Sequence, residues 1–192
     1  MRRDPAIARA LGIALLLAVA LPSAAQNVLD APHSSVTVRV FKTGLFSTFA
    51  HDHTVAAPIS EGSLDLTKRT IELRFRSDDL RLRDKVSDSE RADIEHTMKS
   101  NKVLDVSHFP EIRFASTFVE PSDGGNLKVR GDLSLHGVTK PLEMLVKSSG
   151  NRYAGTVKLK QTDFGITPVK VAGGAVRVKD EIEIAFEIVA GQ

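Results

Sequence analysis

Apolar and polar residues alternate with a period of two along most of this chain. Ser35 to Phe41 places Val36, Val38 and Val40 on one face, and Thr70 to Arg76 sets Ile71, Leu73 and Phe75 against Glu72, Arg74 and Arg76. Glu181 to Ile188 sets Ile182, Ile184, Phe186 and Ile188 against Glu181, Glu183 and Glu187. Weaker copies carry Ile112/Phe114, Leu127/Val129/Leu133/Leu135, Leu142/Met144/Val146 and Val157/Leu159. Successive strand side chains point to opposite faces, so one-sided alternation marks antiparallel strands with one wet face. Turn signals at Glu61-Gly62, Ser122 to Gly125, Gly137, Ser149 to Asn151 and Ala172 to Gly174 separate the runs. The pattern predicts an all-β domain of about eight strands, at roughly 28–41, 54–67, 70–80, 111–119, 126–136, 141–148, 152–162 and 175–190. Such strands form a two-sheet sandwich or an antiparallel barrel, and about eight strands closed into a barrel leave room for side chains or one small ligand.

One stretch breaks the alternation. Ser87 and Glu90 have capping-box spacing, with Ile94 and Met98 on one side beyond them and Arg91, Glu95 and Lys99 available to water. This predicts one inserted amphipathic helix at about 88–100, a candidate lid, with Pro110 closing the connector that follows.

The first 25 residues read as a signal peptide. Arg2, Arg3 and Arg9 precede the apolar run Ala10 to Leu21, and Ser23-Ala24-Ala25 supplies small residues for cleavage before Gln26. The run is too short for a stable membrane span. The expectation is an exported, periplasmic or secreted domain of residues 26–192. The 26 basic and 24 acidic residues of the whole chain become 23 and 23 without that segment. A neutral domain has no electrostatic footprint for nucleic acid. With no cysteine, its stability rests on the core.

Candidate chemistry is sparse. His51-Asp52-His53 puts two imidazoles on one side of an extended segment, and such a pair can begin a metal site. A zinc site needs further ligands, and nothing in the spacing of His33, His108 or His136 supplies them, so no metal site is assigned. There is no Gly-x-Ser-x-Gly elbow and no cysteine nucleophile, so no catalytic residue and no cofactor is implied.

Three further stretches carry a resemblance. Phe109 to Thr117 (FPEIRFAST), Gly131 to Pro141 (GDLSLHGVTKP) and Thr162 to Ile166 (TDFGI), followed by a final strand from Val178, resemble the YceI-like family of exported lipid- and polyisoprenoid-binding domains. Ser134 stands where that family usually has threonine, and the segment Arg91 to Met98 departs from its pattern. The resemblance implies a lipocalin-like barrel around an apolar small molecule, an isoprenoid lipid or quinone, and it implies no enzyme. The ligand-binding set expected on this basis is Val38, Val40, Leu73, Phe75, Ile112, Phe114, Leu133, Leu135, Met144, Phe164, Ile184 and Phe186 from the wall. Phe46 and Phe49 are expected at the entrance, and Ile94 and Met98 on the lid. The alternation by itself fits a filled core equally well. A homodimer is neither required nor excluded by the pattern. The alternative function is a metal- or redox-associated binding module using His51 and His53.

Overall fold

The computed structural model describes residues 29–43, 52–171 and 176–191. The strands are β1 (Ser35–Thr43), β2 (His53–Ala56), β3 (Glu61–Asp65), β4 (Thr70–Arg76), β5 (Arg81–Leu82), β6 (Glu111–Pro121), β7 (Asn126–Leu135), β8 (Val138–Ser149), β9 (Arg152–Lys160), β10 (Lys170–Val171) and β11 (Val176–Val189). Among the described residues one α-helix, α1 (Asp88–Lys99), lies between β5 and β6. Ten strands form one barrel-like antiparallel sheet in the order β3-β4-β6-β7-β8-β9-β11-β1-β2-β5, and β10 adds two residues beside β11.

Strand number therefore corrects the expected eight. The predicted strand 54–67 is two strands, because Pro58 lacks the N–H that a ladder needs. The predicted strand 70–80 stops at Arg76, where Ser77–Asp79 turns as a 3-10 helix before β5. Both breaks do the same job. β2 and β5 lie at one edge of the sheet, and β3 and β4 at the other. Residues 57–60 and 77–80 therefore carry the chain across the seam twice. The crossings are pinned by Ala57 N–H donating to the Val36 carbonyl at 2.9 Å and Ser60 N–H donating to the Arg74 carbonyl at 2.9 Å. The sheet curls without a closed ladder: among the described residues no β3–β5 pairing exists.

The edge at β5 is covered by α1. Leu82 N–H donates to Glu95 Oε1 at 2.8 Å, and Arg91 donates to the Leu82 and Asp84 carbonyls at 2.6 and 2.8 Å. Arg91 and Glu95, expected to face water, thus occupy backbone groups that an edge strand would otherwise expose. Ser87 caps the helix by accepting from Glu90 N–H at 3.2 Å.

Inner-face parity survives two irregularities. In β6 a bulge at Thr117 moves the inward set from Ile112 and Phe114 to Val119. Phe118 consequently turns outward, 45% exposed, beneath the Arg130 guanidinium. A second register shift in β1 lies between Val40 and Lys42. The outer face carries cross-strand ion pairs, among them Arg130–Glu143, Lys158–Glu181 and Arg152–Glu187. Exposed pairs of this kind contribute little to stability, about 0–1 kcal/mol each. They do oppose register slips, because a one-residue shift would turn the charges inward.

Candidate functional site: a cavity inside the sheet

The inward side chains do not fill the space they enclose. A cavity of about 440 Å³ runs through the sheet interior, within the size range of small-molecule sites. Of the expected wall residues, Val38, Val40, Leu73, Phe75, Ile112, Phe114, Leu133, Leu135, Met144, Ile184 and Phe186 line it, and Met98 of α1 does too. Ile94 does not; it is half-buried and packs on the core beside the cavity. Phe164 is also removed from the lining, because it is packed at 1% exposure in the turn after β9. Phe46, Phe49 and His51 lie outside the described residues.

Glycine keeps the space open. A β-carbon on Gly131 would meet the Phe114 ring at 2.5 Å, and one on Gly155 would meet the Phe186 ring at 2.6 Å. Each ring lies against bare backbone of the adjacent strand, which lets it hug the wall.

The two ends of the cavity differ. Leu80, Leu104 and Ile166 line it at the α1 end and are buried, which makes that end a floor. The opposite end lies at the β3–β4 and β8–β9 hairpins, where the lining includes Asp65, Leu66, Arg69, Thr70, Ser148 and Tyr153. Leu66, Arg69, Thr70 and Ser148 are exposed there. Asp65 accepts from Lys68 N–H at 2.8 Å, and that bond holds its carboxyl below the ordinary carboxylate range. Sequence reasoning missed this polar rim and also Gln161. Nothing in the alternation sets such residues apart from ordinary hairpin polarity.

The three stretches that carried the resemblance line the cavity through Ile112, Phe114, Leu133, Leu135 and Ile166, and their remaining residues meet outside it, below the floor. His136 (φ 51) and Gly137 (φ 74) form the two-residue β7–β8 turn, a backbone shape that favours glycine. The Phe109 ring covers Gly137, where a β-carbon would approach within 2.6 Å, and lies 4.4 Å from the His136 ring. His136 Nδ1–H donates to the Phe164 carbonyl at 3.1 Å. Ser77 joins the cluster by donating its hydroxyl to the Phe109 carbonyl at 2.7 Å. These residues brace the floor and do not line the cavity.

The family profile described as YceI-like domain matches residues 28–190. The chain belongs to the YceI-like domain family. Curated relatives include a UPF0312 protein of Shewanella baltica, 30% identical over 172 residues, covering 80% of this chain and 83% of that one. A UPF0312 protein of Vibrio vulnificus is 30% identical over 193 residues, covering 91% and 95%. Among solved structures, Burkholderia cenocepacia BcnA superposes with a TM-score of 0.66 at 19% identity, covering 85% of this chain and 99% of that chain. A polyisoprenoid binding domain from Saccharophagus degradans, implicated in plant cell wall breakdown, gives 0.57 at 13% identity, covering 85% and 97%. These structures share the YceI-like fold with the chain.

Of the two histidines in the alternative metal-associated reading, His53 is described, and its Nδ1 is engaged. His53 Nδ1 lies 2.7 Å from Asp84 Oδ2, and Asp84 Oδ1 accepts from Thr54 N–H at 2.9 Å. Asp52 accepts from Lys42 N–H at 3.0 Å. His33 and His108 each pair with a nearby aspartate, Asp30 and Asp105. Among the described residues no three His, Asp or Glu side chains converge as metal ligands, and no helix is long and apolar enough to cross a membrane.

Proposed function

We propose that this YceI-like domain is a non-enzymatic binding protein that encloses one isoprenoid-type lipid, such as a quinone tail or polyprenyl chain. We place it in the periplasm or outside the cell, after loss of residues 1–25. The observation that carries the reading is the cavity of about 440 Å³ walled by aliphatic and aromatic side chains. Each buried CH₂ is worth about 0.8 kcal/mol, so an apolar chain held along this wall needs few hydrogen bonds to bind tightly. The Saccharophagus neighbour, a polyisoprenoid binding domain, supports the same class of ligand.

Native mass spectrometry of the purified protein, followed by solvent extraction, tests this. The expected result is a stoichiometric lipid, or uptake of added polyprenol by empty protein. Protein that is empty and ignores added isoprenoids refutes the proposal.

A further inference from the structure

Charge is not spread evenly over the outer face of the sheet. On β4, β6, β7 and β8 cations meet carboxylates: Lys128 and Arg130 pair with Glu143, and Arg113 and Arg74 with Glu72. The floor end of β9, β10, β11 and β1 is different. There Lys158 lies opposite Glu183 and Lys160 opposite Glu181, with Arg39 on the other side of Glu183. Arg177 lies opposite Lys170 and Thr43, and Lys179 follows it on the same face of β11. Among the described residues, six exposed cations thus share this face with two carboxylates. The near neutrality of the whole chain conceals this block.

Two of the cations are matched, Arg39 by Glu183 at 3.3 Å and Lys158 by Glu181 at 3.1 Å. Lys160, Lys170 and Lys179 enter no ion pair among the described residues. Arg39 and Lys179 stand over the Phe41 ring, 5.6 and 5.8 Å from its centre, which holds both on this face. Acids on the border face other groups. Asp180 accepts from the Thr162 N–H and hydroxyl at 2.9 and 2.7 Å, and Asp52 accepts from Lys42 N–H at 3.0 Å. Asp163, exposed in the turn after β9, offsets at most one lysine. Counted together with Lys42, these acids still leave cations in excess.

Like charges on adjacent strands repel, and an anionic partner relieves that repulsion. The block runs about 20 Å along β11 from Arg177 to Glu183 and about 10 Å across the strands. That is a plane rather than a line, and it matches phosphates spread over a headgroup layer. We infer that this face docks the domain on an anionic phospholipid bilayer. The choice of a bilayer over a soluble polyanion also rests on the lipid-binding reading above, since an isoprenoid-type ligand resides in a bilayer. The wall inside the sheet holds the ligand; the lysines outside hold the surface.

Co-sedimentation tests this with vesicles of phosphatidylcholine alone and of phosphatidylcholine with an equal part of phosphatidylglycerol. The purified protein should sediment with the mixed vesicles and stay in solution with phosphatidylcholine. Binding should fall steeply as salt is raised to about 1 M, where charges act over only about 3 Å. Lys160→Gln, Lys170→Gln and Lys179→Gln together should weaken binding about a hundredfold, at about fivefold for each lysine. Lys128→Gln, which removes a paired cation on β7, should leave binding unchanged. Should the triple variant fail to fold, Lys160→Gln with Lys170→Gln keeps Lys179 over Phe41 and should still cost about 25-fold. Equal sedimentation with both vesicles overturns the inference, as does full binding by the lysine variants or an equal loss in Lys128→Gln. Tighter binding to duplex DNA than to the mixed vesicles at the same salt overturns it too, and assigns the face to a soluble polyanion. Protein that sediments but takes up no isoprenoid leaves the docking face standing and refutes the lipid-binding reading alone. Protein that takes up isoprenoid but does not sediment does the reverse.

Discussion

Alanine at Gly155 asks whether the cavity stays open because rings lie flat on bare backbone. The new β-carbon would sit 2.6 Å from the Phe186 ring and 2.9 Å from the Leu145 carbonyl oxygen. The carbonyl belongs to the neighbouring strand β8, so the ring must give way and swing into the lumen. Overpacking of this kind costs about 1–3 kcal/mol. For a domain of this size each kcal/mol lowers Tm by about 2–4 °C, so a drop of roughly 2–12 °C is expected in scanning calorimetry, together with weaker binding of a long isoprenoid. Gly150→Ala serves as the control. Gly150 has φ +61 and no atom near its would-be β-carbon, so its strain lowers Tm without touching ligand binding. Adding Phe186→Leu to Gly155→Ala should restore part of both losses, since neighbouring substitutions couple by about 0.5–3 kcal/mol. A Gly155→Ala protein with unchanged Tm and unchanged binding would refute the argument, as would a double variant that recovers nothing.

The remaining predictions concern the floor, the helix and the outer face. Phe164→Ala removes a ring that is 1% exposed and should cost about 3–5 kcal/mol in denaturant unfolding. The milder Phe164→Leu should lower stability and leave isoprenoid binding unaltered, because Phe164 does not line the cavity. Met98→Ala should weaken isoprenoid binding more than Ile94→Ala, because only Met98 lines the cavity; equal effects in a binding titration would contradict this. Asp84→Ala frees both His53 Nδ1 and Thr54 N–H and should destabilise by about 1–3 kcal/mol, measured as a fall in the urea midpoint. The Glu72 carboxylate is held at about 2, against an ordinary 4.5, by hydrogen bonds from the Arg113 and Arg74 guanidinium groups. A depressed carboxylate contributes stability that is present above 4.5 and is lost as pH falls through about 2. Glu72→Gln should therefore flatten the pH dependence of Tm across that window. Because the site is solvent-accessible, the effect should shrink in high salt.

Much of the cavity wall was legible because its signal is local. A strand with one buried face must alternate, so Leu73, Phe75, Leu133 and Ile184 announced their direction without knowledge of their neighbours. The alternation could not say whether those side chains meet or stand apart. That depends on how far the sheet curls, and on Gly131 and Gly155 lying opposite aromatic rings across strands. Phe164 looked like a wall residue because it is aromatic and sits in a recognisable stretch. The turn after β9 instead buries it, and its carbonyl accepts from His136. The helix was placed nearly correctly from Ser87 and Ile94, but its polar face was misjudged, since a sequence does not show that β5 needs hydrogen-bond partners.

By itself the sequence determined the all-β class, the inward set of most strands, the inserted helix at 88–99 and the family, since each rests on spacing within a few residues or on contiguous stretches. Tertiary structure alone decided that ten strands curl around a seam crossed twice by the chain, that a hollow remains, and that the buried Gln161 lines it. Those features arise between residues far apart in the chain, where register, curvature and ring-on-glycine contacts set distances that no local pattern encodes.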